Sequence, residues 1–296
     1  MRVHLVDGTF ELFRAHFSKR PDHVTPGGRS AKATLGVAHS LLALLQDADE
    51  AVTHLAVAFD NPIRSFRNDL YEGYKTEEGV LPELLAQFDF VERATAALGI
   101  VVWSMNRWEA DDALATAAAR FAAEVDQVRI LTPDKDLGQS IVGQHVVQVD
   151  RIRRRVIDED ALFAQRGVKP ASIPDWLALV GDSADGYPGL PGFGEKTAAL
   201  LLQAYARIEE IPDRASAWPK AVRGAERLAA TLAERREEAL LYRTLATLVL
   251  DVPLAEDLAG LEWRGVPRRA FEAFCDEVGG DGGLRVRPHR YAESER

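Results

Sequence analysis

The residues best suited to chemistry in this 296-residue chain are carboxylates, and they fall where a sheet would gather them. Three apolar runs lead into aspartate. Residues 3–6 precede Asp7, residues 54–59 precede Asp60, and residues 128–131 run through Thr132-Pro133 into Asp134, with Asp136 two residues later. Glu109-Ala110-Asp111-Asp112 opens a helical pattern, and Asp182 and Asp185 occupy the loop 181–186. Singly, each has an ordinary explanation: a turn former, an N-cap, or an acid favoured by a helix dipole by about 0.3–1 kcal/mol. Together they need another. In an open parallel sheet the carboxyl ends of the strands emerge along one edge, so these nine acids are expected to converge. Two carboxylates ~4 Å apart repel by about 4 kcal/mol at an effective dielectric of 20, which calls for compensating cations. All-oxygen ligation suits Mg²⁺ or Mn²⁺ rather than zinc. The single cysteine, Cys275, excludes a multi-cysteine zinc site, and none of the seven histidines has metal-motif spacing.

The overall charge of −10, with 46 acids against 36 bases, argues at first against a nucleic-acid partner. Setting the nine acids aside leaves 37 against 36, so the acidity is concentrated rather than spread. A 47% apolar, 28% charged composition is that of a soluble globular chain able to bury a core. No 18-residue apolar run exists, the start turns acidic too soon for a signal peptide, and one cysteine permits no internal disulfide. A cytoplasmic protein is expected.

The elements that must position these acids alternate in the first half. Strands are expected at 3–6, 54–59, 100–103, 128–131 and 146–149, with helices over 32–46, 82–98 and 110–125. Strands separated by helices predict a doubly wound, mostly parallel α/β sheet. Beyond about residue 170 strand signals fade, and a long helix is expected over 225–250. The reading is therefore an α/β domain over 1–170 and a helical domain over 171–296. Residues 279–283 read as a flexible turn and the tail from Arg287 as loosely ordered.

These motifs resemble, in order along almost the whole chain, the bacterial 5′→3′ exonuclease and flap endonuclease family. That family includes the N-terminal nuclease domain of DNA polymerase I. The likeness runs through Leu5-Val6-Asp7-Gly8 with Arg14, Ala58-Phe59-Asp60, Ser65-Phe66-Arg67, Tyr74-Lys75, Glu109-Ala110-Asp111-Asp112 and Leu131-Thr132-Pro133-Asp134-Lys135-Asp136-Leu137. It continues through Gly-Asp-Ser-Ala-Asp-Gly-Tyr-Pro-Gly-Leu-Pro-Gly-Phe-Gly-Glu-Lys-Thr-Ala at 181–198 and Asp251-Val252-Pro253-Leu254. No polymerase sequence follows, so the chain resembles a stand-alone member.

The resemblance implies a PIN-like, resolvase-like nuclease core with a helix-three-turn-helix element in the C-terminal domain. It implies a two-metal phosphodiesterase acting on DNA at 5′ ends, flaps and single-strand/double-strand junctions, most simply as a monomer. Asp7, Asp60, Glu109 and Asp111 would chiefly hold the first Mg²⁺ or Mn²⁺. Asp112, Asp134, Asp136, Asp182 and Asp185 would hold or orient the second. Arg67 and Lys75 match phosphate-contacting positions, Lys75 being the best candidate for neutralising the reacting phosphate, Arg14 is expected to bind DNA, and Tyr74 could stack on an unpaired base. Gly192-Phe193-Gly194, with Lys196, looks like the DNA-binding hairpin, where a potassium ion would bridge to the duplex backbone. The Gly-Glu-Lys-Thr segment is not a P-loop, because Glu195 separates Gly194 from Lys196 and a Pro-Gly turn, not a strand, precedes it.

Two departures from the family pattern stand out. Glu78 occupies a position where a basic residue is usual, and Glu72, Glu77, Glu83, Asp89 and Glu92 add negative charge to the region expected to form a helical arch. Gly138 replaces an aromatic residue. The run Arg151-Ile152-Arg153-Arg154-Arg155 reads as a solvated turn between strands. A nuclease preferring RNA or RNA–DNA hybrids, or a DNA-structure binding protein with little turnover, stays open at this stage.

Overall fold

The computed structural model describes residues 1–280 and 283–293. In chain order its first elements are β1 (Arg2–Asp7), α1 (Gly8–His16), α2 (Lys32–Leu45), β2 (His54–Asp60), α3 (Arg67–Leu70), α4 (Pro82–Leu85), α5 (Phe88–Ala97), β3 (Val101–Met105), α6 (Ala110–Phe121) and β4 (Gln127–Leu131). Then come β5 (Val146–Asp150), β6 (Arg155–Ile157), α7 (Glu159–Arg166), α8 (Ile173–Val180), α9 (Glu195–Tyr205), α10 (Ala225–Ala246) and α11 (Arg268–Val278). They form two compact units, described separately. The first is Met1–Ser65, Glu77–Thr132 and Leu250–Arg296; the second is Phe66–Thr76 and Pro133–Val249.

The first unit is built on four parallel strands in the order β3-β2-β1-β4. Burial runs almost unbroken along β1 and β2 instead of alternating, because helices cover both faces of a parallel sheet. Helix α6 packs across all four strands, while α1, α2 and α5 pack on one another and against β2 and β3. The chain steps outward from β1 to β2 to β3, then returns so that β4 lies on the other side of β1. The switch point of this sheet is therefore between β1 and β4, where ligands bind in such folds.

The helix expected over 82–98 divides into α4 and α5 at Ala86-Gln87. Gln87 is fully buried, and its side-chain oxygen accepts from the N–H groups of Ala33 (3.0 Å) and Thr34 (3.1 Å). It thereby satisfies the first turn of α2, whose own N-cap, Ala31, supplies no side-chain bond. Near the C-terminus, α11 returns to this unit and sets Phe274 against Phe90, with ring centroids 5.4 Å apart. The tail corrects the loosely ordered expectation for its described part. Val266 and Tyr291 pair in parallel, and the Arg268 guanidinium lies 3.9 Å from the centre of the Tyr291 ring. Asp281 and Gly282 of the expected turn, and residues 294–296 of the tail, lie outside the described residues.

The second unit contains α3 and the antiparallel pair β5–β6, and its other described elements are mainly helices. Its core gathers Trp176, Tyr187, Leu201 and Tyr242, with Tyr187 and Tyr242 stacked 5.5 Å apart. Helix α10 bends at Arg235 (φ −116°, ψ 22°) and stops at Ala246, four residues short of the expected end. Packing thus divides the chain at more than one place, and Leu250–Arg296 groups with the N-terminal residues. No described helix is long and apolar enough to cross a membrane.

Candidate metal centre

In the first unit, carboxylates close the strands and open the helices. Asp7 ends β1 and N-caps α1, accepting from the Phe10 N–H at 2.8 Å. Its second oxygen accepts from the Thr132 hydroxyl at 2.9 Å, just past the end of β4. That bond spans the switch point. Asp60 ends β2 and accepts at 2.6 Å from the N–H of Ala110, the first residue of α6, where the helix dipole favours an anion. Glu109 accepts from the Ser65 hydroxyl at 2.6 Å. Asp112 is fully buried and accepts from the Glu109 N–H at 3.0 Å, closing a capping box. Asp111 is half-buried beside them.

In the second unit, Asp136, Asp182 and Asp185 each place a carboxylate oxygen within 4.8 Å of the others, and all three are buried. Asp134 is exposed and accepts from the Asp136 N–H at 3.0 Å. Two ammonium groups touch the cluster: Lys75 Nζ lies 3.2 Å from Asp185 and Lys135 Nζ 2.9 Å from Asp182. Lys75 is held by its backbone as well, its N–H donating to the Asp185 carbonyl at 3.0 Å. This close approach depends on Gly186 (φ +88°), where a Cβ would sit 2.1 Å from the Gly73 carbonyl oxygen.

Three carboxylates against two ammonium groups leave the cluster short of positive charge. Asp136 shows the deficit most clearly, since its Oδ1 is buried with no hydrogen-bond partner. Burial pushes its carboxyl well above the usual carboxylate range, reinforced by Asp134, Asp185 and Asp182 and opposed by Lys135. An all-oxygen donor set with an orphaned carboxylate oxygen fits a hard divalent cation.

Several expected nucleic-acid contacts are placed differently. Arg67 is 1% exposed, and its guanidinium donates to the carbonyls of Leu245 (2.7 Å) and Thr247 (3.0 Å), closing the C-terminal end of α10. It presents no free edge to a phosphate. Tyr74 is 3% exposed within the second unit's core, so its ring has no open face for a base. Carbonyls claim the Arg67 side chain and apolar packing claims that of Tyr74.

Arg14 is tethered by the buried carboxylate of Glu11 and by Ser40 at 3.2 Å, with about a third of its side chain exposed. Gly192, Gly194 and Lys196 stay at the surface, with Phe193 buried between the two glycines. Gly192 turns with φ +88° beneath Arg227, Gly194 N-caps α9 with open space on its Cβ side, and Lys196 is exposed in the first turn. The expected helical arch is not helical between residues 71 and 81. Asp89 and Glu92 lie on α5 instead, both bonded to Asn61. The arginine run 151–155 forms the β5–β6 turn, with Arg153 paired to Asp150 at 2.9 Å.

Sequence reasoning missed two partners of these acids, Thr132 on Asp7 and Lys135 on Asp182. Both lie inside a motif chosen for its acids, so only their neighbours marked them.

The comparisons with known proteins agree with this architecture. Residues 2–167 match the family described as 5′-3′ exonuclease, N-terminal resolvase-like domain, and residues 168–269 match its partner, 5′-3′ exonuclease, C-terminal SAM fold. The chain belongs to the 5′-3′ exonuclease family. It is accordingly an enzyme of the nuclease class. It is similar to a 5′-3′ exonuclease of Bacillus subtilis, 34% identical over 256 residues, covering 85% of this chain and 84% of that protein. It is also similar to DNA polymerase I of Rhizobium leguminosarum, 37% identical over 87% of this chain, and spans 25% of that relative's length. Among solved structures, the T5 D15 protein co-crystallised with metal ions matches with a TM-score of 0.64 and 18% identity, covering 83% of this chain and 89% of that one. The catalytic core of Rad2 in complex with DNA substrate matches with a TM-score of 0.62 and 14% identity, covering 96% and 91%. These two share the fold.

Proposed function

We propose that the chain hydrolyses DNA phosphodiester bonds at 5′ ends and at 5′ flaps, with two divalent cations, Mg²⁺ or Mn²⁺. The observation that carries the reading is the buried Asp136–Asp182–Asp185 cluster with its orphaned Asp136 oxygen. The metal ions and DNA named with the T5 D15 and Rad2 structures support the cofactor and the substrate class. When bound, two such cations would supply an acidified water and charge stabilisation at the leaving oxygen of an in-line displacement.

The chain's own residues do the rest. Asp7, Asp60, Glu109 and Asp111 would hold one cation. Asp134, Asp136, Asp182 and Asp185 would hold the other, with Asp112 orienting Glu109 through its backbone. Lys75, released from Asp185 when a cation takes over that charge, would neutralise the reacting phosphate. The Gly192–Gly194 turn, with Lys196 and the N-terminus of α9, would seat a duplex phosphate and a potassium ion.

The test is a 5′-flapped DNA duplex incubated with Mg²⁺ or Mn²⁺ and then with chelator. Cleavage is expected only with the cation and should fall as salt rises. Binding without cleavage under every metal condition would refute the reading in favour of a binding protein, and cleavage confined to RNA would refute the substrate.

A further inference from the structure

The first unit also holds a place where basic groups gather. Lys32, Leu35 and His39 follow one another along one face of α2, three and four residues apart. Together with Arg20, Asp22 and His23, from the segment between α1 and α2, they line a cavity of about 280 Å³. That lies close to the lower end of small-molecule sites, about 300–1,000 Å³. Its lining offers two cations and two imidazoles against one acid.

The walls are held by packing. His39 is 6% exposed. The His23 ring is tethered because its Nε2–H donates to the Val278 carbonyl at 3.0 Å. Arg20 crosses α2 at Gly36, where a Cβ would stand 3.4 Å from its Cδ. The charges are not balanced within the cavity. Lys32 Nζ lies 3.3 Å from Asp22, but the Asp22 side chain is 89% exposed and that of Lys32 only 18%. A solvated carboxylate contributes little to such a pair. None of the described acids pairs with the Arg20 guanidinium. Burial, then the charges of Arg287 and Arg14, push its pKa below the ordinary arginine value. A doubly charged anion would balance Arg20 and Lys32, and a phosphate monoester offers oxygen acceptors that match the guanidinium fork. The volume admits a phosphate with its sugar, and Leu35 supplies an apolar wall for the sugar.

We propose that this cavity binds a nucleoside monophosphate, with Arg20 and Lys32 holding the phosphate. Hydrolysis at a 5′ end releases phosphate-bearing nucleotides, so the ligand is of the same class as the product of the reaction proposed above. That link rests on the cleavage reading, whereas the binding itself does not.

The test uses the full chain in chelator and without DNA, which keeps the metal centre out of the measurement. Thymidine 5′-monophosphate, inorganic phosphate and thymidine are titrated by calorimetry into wild type, Arg20→Gln, Lys32→Met and Lys196→Gln, and melting temperatures are recorded for each protein. Wild type should bind the monophosphate more tightly than phosphate, and thymidine not measurably. Losing one charge-assisted contact should weaken monophosphate binding about ten- to hundredfold in Arg20→Gln and in Lys32→Met, with melting temperatures kept. Absence of saturable binding to wild type, or equal affinity in wild type and both cavity variants, would overturn the proposal while leaving the cleavage reading standing. Loss of binding in Lys196→Gln instead would place the anion at the hairpin and overturn it too. Phosphate binding as tightly as the monophosphate would overturn the assignment to a nucleotide.

Discussion

The two groups of acids are stabilised by different chemistry. In the first unit, Asp7, Asp60, Glu109 and Asp112 accept hydrogen bonds from backbone N–H groups and hydroxyls at strand ends and helix starts. In the second, Asp182 and Asp185 are paired with the ammonium groups of Lys135 and Lys75. Neutral donors fix where a carboxylate points and leave its charge in place. Lysines cancel charge, but they do so from long, partly exposed stems that another cation can displace. On the proposed reading, the first unit would offer preset ligands, whereas the second would offer a site that exchanges one cation for another.

The sharpest way to break this comparison is to remove one acid from each group. Asp136→Asn should lower cleavage of a flapped duplex by about a hundred- to a thousandfold, as loss of an electrostatic group at a reacting phosphate does, with DNA binding in chelator unchanged or tighter. Asp112→Ala should lower cleavage less and instead cost about 1 kcal/mol in stability through the lost capping box. Equal rate losses in the two variants, by single-turnover kinetics, would show that the groups do not differ.

A second pair separates two cations expected to play like parts. Arg67→Ala should destabilise the fold by about 3 kcal/mol in urea unfolding, because two charge-assisted bonds to carbonyls, one of them buried, disappear. Lys75→Ala should leave stability within about 0.5 kcal/mol while slowing cleavage. A slow but fully stable Arg67→Ala would restore that residue to the DNA interface.

Glu50 is a control, being a single carboxylate paired with cations. Hydrogen bonding to His4 and the charge of Arg129 outweigh burial and hold its carboxyl down at about 2. A lowered carboxyl stabilises the fold above its unfolded value near 4.5, and that contribution fades as pH falls toward 2. Glu50→Gln should therefore cost about 1–2 kcal/mol at pH 7, after allowing for solvent screening, and progressively less below pH 4.5. Mn²⁺ binding should be unaffected, because one paired acid makes no cation site. The smallest effect is expected from Lys135→Met, which should raise Mn²⁺ affinity about threefold by removing a competing charge near the surface.

Much of the fold was legible because strand and helix periodicity is local. The runs at 3–6, 54–59 and 128–131 became β1, β2 and β4 with at most one residue added at either end. Asp7 and Asp60 were legible as strand-end acids for the same reason. The helix break at Gln87 was not, because its cause is the first turn of α2, more than fifty residues away. The burial of Arg67 and Tyr74 was not legible, because a motif fixes residue type and position, whereas exposure depends on what packs around them.

By itself, the sequence determined the order of strands and helices, the family, and which side chains carry negative charge near strand ends. These follow from short-range spacing and residue type. The tertiary structure alone decided which charges are neutralised, and by what. It turned Arg67 inward onto carbonyls, set Lys75 and Lys135 on buried carboxylates, and left Asp136 and Tyr187 each with an unpaired buried atom. The physical reason is that desolvation and pairing depend on neighbours distant in the chain, which only the folded packing brings into range.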